Sequence, residues 1–174
     1  MYDLYRCDEY DTSRFILGKN GTRIIFSIGL NPSTADKENS DVTVAKVEKV
    51  ALRNGYNGFV MANLYPLRRT NPHELPKEYD KYLFYKNLRL IKKLACAESE
   101  PIFWAAWGGD ITLRPYLIDA FIRLKGIAES INGRWVNYGE LRKDGHPRHP
   151  SRLSYNWKFR DFDVRAYGKI FFWR

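Results

Sequence analysis

Cysteine is scarce. Cys7 and Cys96 are the only two in 174 residues, far apart and without a CxxC partner. A disulfide-scaffolded fold and a cysteine-based zinc site are therefore not expected, and a reducing compartment fits. No apolar run approaches the roughly 20 residues that a membrane-spanning helix needs. The opening segment, Met1-Tyr-Asp-Leu-Tyr-Arg, lacks the apolar core of a secretory signal, so a cytoplasmic location without membrane partners is expected. Internal repeats and low-complexity tracts are also missing, which argues against solenoids and disordered arrays.

What is present describes a globular chain. Apolar residues make up 44% and charged residues 28%, a balance that supports a packed core and not disorder. The length suits one domain over residues 1–174, expected to act as a monomer. Lys and Arg number 29 against 20 Asp and Glu, a net charge of +9, and aromatics reach 16%. Basic charge with aromatic side chains favours a polyanionic partner, nucleic acid above all, although basic soluble domains without such partners are common.

Apolar, β-branched runs at 23–30, 58–64, 102–107 and 134–138 read as buried strands. Amphipathic or capped stretches at 42–53, 77–95 and 112–125 read as helices. Ser40 or Asp41 is the candidate cap of the first, and Thr112 of the third. Strands alternating with helices predict an α/β fold: a three-layer αβα sandwich around a mainly parallel four-stranded sheet. The aromatic, basic tail from Trp157 to Arg174 fits no element type securely and is expected at the domain edge. In parallel sheets ligands bind at the carboxyl ends of strands. The loops there hold Asn31-Pro32-Ser33, Asn63 through Arg69, Gly108-Gly109, and the stretch with His146 and His149.

These loops carry the chemistry. Asn31 follows a buried strand, with Gly29 permitting close backbone approach and Pro32 stiffening the turn; its amide suits orienting a water, and equally suits a plain strand end. Asn63 suits pairing with a base edge, or a strand-end turn. Gly145 to Ser154 concentrates His146, His149, Arg148, Arg152, Ser151 and Ser154. Histidines there suit donation to a developing anion, and arginines and serines suit phosphate oxygens. A third metal ligand is not evident, so a metal site is not expected. Arg68 and Arg69 suit phosphate contact or plain solvation of their loop. Asp36 and Asp41 are the nearest candidate general bases, with capping the simpler role for Asp41. Trp104 and Trp107 read as core first and stacking platforms second.

Taken together, these residues resemble the motifs of the uracil-DNA glycosylase superfamily. Gly29-Leu30-Asn31-Pro32-Ser33 is similar to its first motif, Gly-Ile-Asn-Pro-Gly in one branch. His149-Pro150-Ser151-Arg152-Leu153-Ser154 matches His-Pro-Ser-Pro-Leu-Ser at five of six positions. The strand running into Trp107-Gly108 and the segment Val60-Met61-Ala62-Asn63-Leu64 resemble two further elements, in the same order, over roughly residues 23–155. Asn-Pro-Ser-Thr-Ala-Asp, Asn-Leu-Tyr-Pro and Gly-His-Pro-Arg-His-Pro also look like an uncharacterised family of small bacterial and phage proteins, so a divergent member is implied. Two departures stand out. Asn31 replaces the aspartate of the most efficient branch, and Arg152 replaces a proline.

The resemblance implies a uracil-DNA-glycosylase-like fold and a monofunctional, cofactor-free DNA glycosylase that flips a damaged or modified base from duplex or single-stranded DNA. Asn31 would position the water and His149 would stabilise the leaving base as the two catalytic residues. Asn63 would read the base. Ser33, Arg68, Arg69, Arg148, Ser151 and Ser154 would hold DNA, and Arg152 could wedge into the vacated stack. The alternatives are a nucleic-acid-binding module without catalysis and a hydrolase of free nucleosides or nucleotides.

Overall fold

A computed structural model describes residues 1–172; Trp173 and Arg174, the end of the untyped tail, lie outside the described residues. The strands are β1 (Leu4–Cys7), β2 (Arg14–Lys19), β3 (Ile24–Gly29), β4 (Gly58–Asn63), β5 (Ile102–Ala105), β6 (Arg134–Tyr138) and β7 (Phe159–Asp161). The helices are α1 (Val42–Arg53), α2 (Lys81–Ala95), α3 (Pro115–Ser130) and α4 (Val164–Phe171). All seven strands form one sheet in the order β1-β2-β4-β3-β5-β6-β7.

The sheet is larger and more mixed than the four parallel strands expected. β4, β3, β5 and β6 pair in parallel, as the apolar runs predict. β2 and β1 extend one edge and β7 the other, all antiparallel. These additions escape a reading of periodicity because each carries few consecutive apolar residues. β7 has three residues, β1 has four and is only partly buried, and the apolar part of β2 is the triplet Phe15-Ile16-Leu17. The untyped tail resolves into β7 and α4 within the described residues.

Helix boundaries follow caps and prolines. Asp41 Oδ1 accepts from the Val44 N–H at 2.8 Å and starts α1; Gly55 leaves the helix at φ +80°, a conformation that favours glycine. α2 begins at Lys81 instead of 77, because Asp80 caps it through the Leu83 N–H. Thr112 lies inside a 3-10 turn and caps nothing. Pro115 occupies the first turn of α3 and holds Arg114 extended, which separates that turn from the helix.

Side chains alternate across β3: Phe26 and Ile28 enter one core, Ile25 the other. The first core takes the apolar faces of α2, α3 and α4, with Phe84, Phe121 and Tyr167 among its rings. The second takes α1 through Val44, Val47 and Val50, against Trp104 and Tyr138. Trp104 and Trp107 are both core residues, as expected. Among the described residues no helix is long and apolar enough to cross a membrane.

Candidate functional site

A cavity of about 570 Å³ opens at the carboxyl ends of the parallel strands. Its wall is built from the loops after β3, β4 and β5, the start of α1 and the 3-10 turn at Pro150–Arg152, completed by Arg14 of β2, Met61 of β4 and Arg142 beyond β6. Of the residues expected to act, Asn31, Ser33, Arg69, His149, Ser151 and Arg152 line it.

The Asn31 carboxamide is held from one side. Its Nδ2 donates to the carbonyls of Pro32 at 3.1 Å and Arg69 at 2.7 Å. The Arg69 N–H returns a bond to the Pro32 carbonyl at 2.9 Å, and Arg68 Nη1 donates to the Ser33 carbonyl at 2.7 Å. The loop after β3 is thus stitched to the loop after β4. Two carbonyls can only accept, so the amide nitrogen must face them, which leaves Oδ1 as the acceptor available to a ligand or water.

His149 is fixed by its own turn. The Ser151 N–H approaches Nδ1 at 3.4 Å, and the Ser151 hydroxyl lies 2.8 Å from the same nitrogen. A backbone N–H can only donate, so Nδ1 accepts and the neutral ring carries its proton on Nε2. Burial lowers the pKa of His149, with Asp41 and Asp110 acting in the opposite sense. Lys46 Nζ ties the turn to α1 by donating to the carbonyls of Ser151 and Leu153, at 2.9 and 3.1 Å. Gly108, at φ +75°, brings the loop after β5 against this histidine; a Cβ there would sit 3.4 Å from His149 Cβ.

Three further residues of the cavity were not anticipated. Arg14, from the start of β2, is 1% exposed. Asp110 follows Gly108-Gly109, and its carboxylate makes no hydrogen bond or ion pair among the described residues. Arg142 is paired with Asp144 at 2.8 Å. The position of Asp110 just past a parallel strand was a usable signal. Arg14 gave none, because β2 itself went unread.

Other expected residues lie elsewhere. Asn63 is fully buried and is not part of the cavity wall. Its Oδ1 and the Met61 Cε both lie within 2.7 Å of the point a Gly29 Cβ would occupy, so the amide sits behind a methionine that does line the cavity. Neither Asn63 amide atom has a hydrogen-bond partner among the described residues. Arg68 spends its guanidinium inside the fold, on the Ser33 and Ala35 carbonyls, the Tyr5 hydroxyl and Asp11. Arg148 donates to the Glu140 carbonyl and lies over the Trp157 ring. Ser154 accepts from the Asn156 N–H. Asp36 accepts from Glu38 and Asn39, and Asp41 caps α1 while lining the cavity. His146 points its Nδ1 at the Tyr167 hydroxyl, 2.8 Å away, in a separate buried cluster. No group of three or more His, Cys, Asp or Glu among the described residues is arranged to hold a metal ion.

Residues 14–151 match the family described as "Protein of unknown function (DUF1643)". The chain belongs to that family. No curated protein and no solved structure matches it. The stretch that this DUF1643 chain shares with its family begins at Arg14 and ends at Ser151, so it takes in every lining residue of the cavity except Arg152. Beside the cavity, Lys49 and Arg53 of α1 stand over the Tyr155 ring at 4.8 and 5.0 Å, a basic and aromatic surface next to the His149 turn.

Proposed function

We propose that this chain is a DNA N-glycosylase, a divergent relative of the uracil-DNA glycosylases with their three-layer αβα arrangement, acting as a monomer on a damaged or modified base. The observation that carries the reading is the meeting of Asn31 and His149 in one cavity, one offering a free acceptor and the other a free donor. Hydrolysis of an N-glycosidic bond needs both. The C1′–N bond breaks with its electron pair going to the base, and His149 Nε2–H donates a hydrogen bond to that developing anion. The sugar passes through an oxocarbenium-like state. Water held by Asn31 Oδ1 then adds its oxygen to C1′. An amide is no base, so the water's proton leaves to Asp110 or to solvent, and the base takes up a proton after departure. Ser33, Arg69 and Arg152 would receive phosphates at the mouth, while the Ser151 hydroxyl, which donates to His149 Nδ1, orients the ring instead. Asn63 would read the base only after Met61 moves aside, and methionine is flexible enough to do so.

The test is single-turnover release of free base from duplex and single-stranded oligonucleotides carrying uracil, deaminated, hydroxymethylated or glucosylated bases, with DNA binding measured in parallel. Asn31→Ala should slow release while binding holds, because the interaction matters in the transition state. Binding without release by the wild type would select the non-catalytic module. Release from mononucleotides but not from DNA would select the nucleotide hydrolase, the reading that the buried Arg14 favours.

A further inference from the structure

Arg14 is a buried cation that the fold leaves unneutralised. Its side chain makes one hydrogen bond among the described residues, from Nη1 to the Ala35 carbonyl at 2.8 Å. Its Nε is buried with no hydrogen-bond partner among the described residues. None of the ion pairs among the described residues includes it.

The surroundings do not compensate. Arg68 donates to the same Ala35 carbonyl at 2.8 Å and repels Arg14. Asp11 and Tyr5 attract it, but both are engaged with Arg68. Asp41, across the cavity wall, also attracts it, yet that carboxylate accepts from the Val44 and Ala35 N–H groups. Burial dominates and pushes the Arg14 pKa down to about 10, so the group stays charged at neutral pH and desolvated. Such a charge opposes folding unless something supplies an anion. Since Arg14 lines the cavity, a ligand can supply it there. Arg14 is the deeply buried cation of the wall, whereas Arg69 and Arg152 are exposed at its edge.

The geometry points to an oxyanion site at Arg14: the cavity takes a nucleotide that carries a compact oxyanion, a phosphate or a carboxylate on the base, to that guanidinium. The planar fork suits two oxygens of either group. The inference rests on the reading of this cavity as a nucleotide pocket, but not on bond cleavage.

Titration calorimetry and thermal unfolding of the full chain test it. The probes are inorganic phosphate, a nucleoside 5′-monophosphate, and an oligonucleotide bearing a carboxylated pyrimidine, each against sodium chloride of equal ionic strength. Arg14→Met keeps the stem and removes the desolvated charge. Its Tm should hold or rise, and oxyanion binding should weaken about ten- to a hundredfold, the range for losing a charge-assisted hydrogen bond. Arg14→Lys keeps the charge without the fork, should fall between, and carries the test alone if the methionine variant does not fold. Arg14-dependent binding of phosphate and the mononucleotide assigns the oxyanion to a nucleotide phosphate. Arg14-dependent binding of the modified oligonucleotide alone assigns it to the base. No binding of any probe by the wild type, or binding in both variants equal to that of the wild type, overturns the inference and leaves Arg14 as a strut for the Ala35 loop. Base release with Arg14-independent binding would sink this inference and spare the glycosylase. Arg14-dependent binding without base release from any substrate would do the reverse.

Discussion

Asn31 Nδ2 donates to the Arg69 carbonyl at 2.7 Å, so the cavity is built for an amide at position 31. Restoring the aspartate of the efficient glycosylase branch should therefore harm this protein. Asn31→Asp sets a carboxylate oxygen against two carbonyl oxygens unless it is protonated. The expected loss at neutral pH is about 0.5–1.5 kcal/mol, the scale for one lost hydrogen bond at a partly exposed site. The folded pKa of that new carboxyl is raised, so the penalty appears above its unfolded value of about 3.9 and vanishes below it. Urea denaturation of the variant and the wild type at pH 7 and below pH 4 reads this directly. Equal stability at pH 7 would show that the bond to Arg69 does not hold the loop.

His149 should act as a neutral donor. Loss of a preorganised donor to a developing anion costs on the order of 2.7–4 kcal/mol in rate, and His149→Ala should lose that much in single-turnover base release. Burial lowers the pKa of this ring. The wild-type rate should thus stay level as pH rises through 6.5 and fall only on the acid side, below the depressed pKa. A rate that rises as pH falls through the depressed pKa would mean that the protonated ring is the working form.

A second buried histidine shapes stability instead. Trp107 Nε1–H donates to the Tyr167 hydroxyl at 3.1 Å, and that hydroxyl meets His146 Nδ1 at 2.8 Å. Tyr167→Phe strands a donor and an acceptor and should cost about 1–3 kcal/mol. Burial is also the leading cause of the lowered His146 pKa. The unfolded chain takes up the proton first, so the contribution of His146 is full above about pH 6.5 and is lost as pH falls through its folded pKa. His149 adds to the same acid slope. His146→Gln should flatten the loss of stability between pH 7 and 5 without removing it. An unaltered slope would place the linkage elsewhere.

The parallel centre of the sheet was legible because β3, β4, β5 and β6 lie in apolar runs with side chains buried on both faces. That alone sufficed to bring Asn31 and His149 to one rim. Neighbouring residues of the same type were not legible. Arg68 and Arg69 are adjacent, yet one is consumed by Asp11 and two carbonyls while the other lines the cavity. The difference is set by loops that meet only in the fold. Arg14 reads as a surface cation until its strand pairs with β1 at Cys7 and its side chain reaches the Ala35 carbonyl, where it is buried. Asn63 kept its predicted strand end, but the Met61 side chain, two residues earlier on the same face, stands between it and the cavity.

The surface of α1 offers the last test, on how DNA is held. Lys49 and Arg53 are exposed and share the Tyr155 ring, so their removal leaves the core untouched. Lys46 should be kept, because it anchors the His149 turn. If the two cations contact phosphates, binding falls with salt, and each lost contact reduces the slope of log K against log salt by about 0.9 on duplex and about 0.7 on single strands. The Lys49→Ala, Arg53→Ala double variant should therefore show a shallower slope than the wild type, by roughly two contacts' worth. Running both DNA forms reveals which one lies along this face, since only a form that touches both residues changes slope. The weakening should be similar for unrelated sequences, as phosphate contacts carry no base information. A slope that is steep in the wild type and unchanged in the variant would move the DNA track to the Arg69 and Arg152 side of the cavity. A flat salt response in the wild type would remove nucleic acid as the partner altogether.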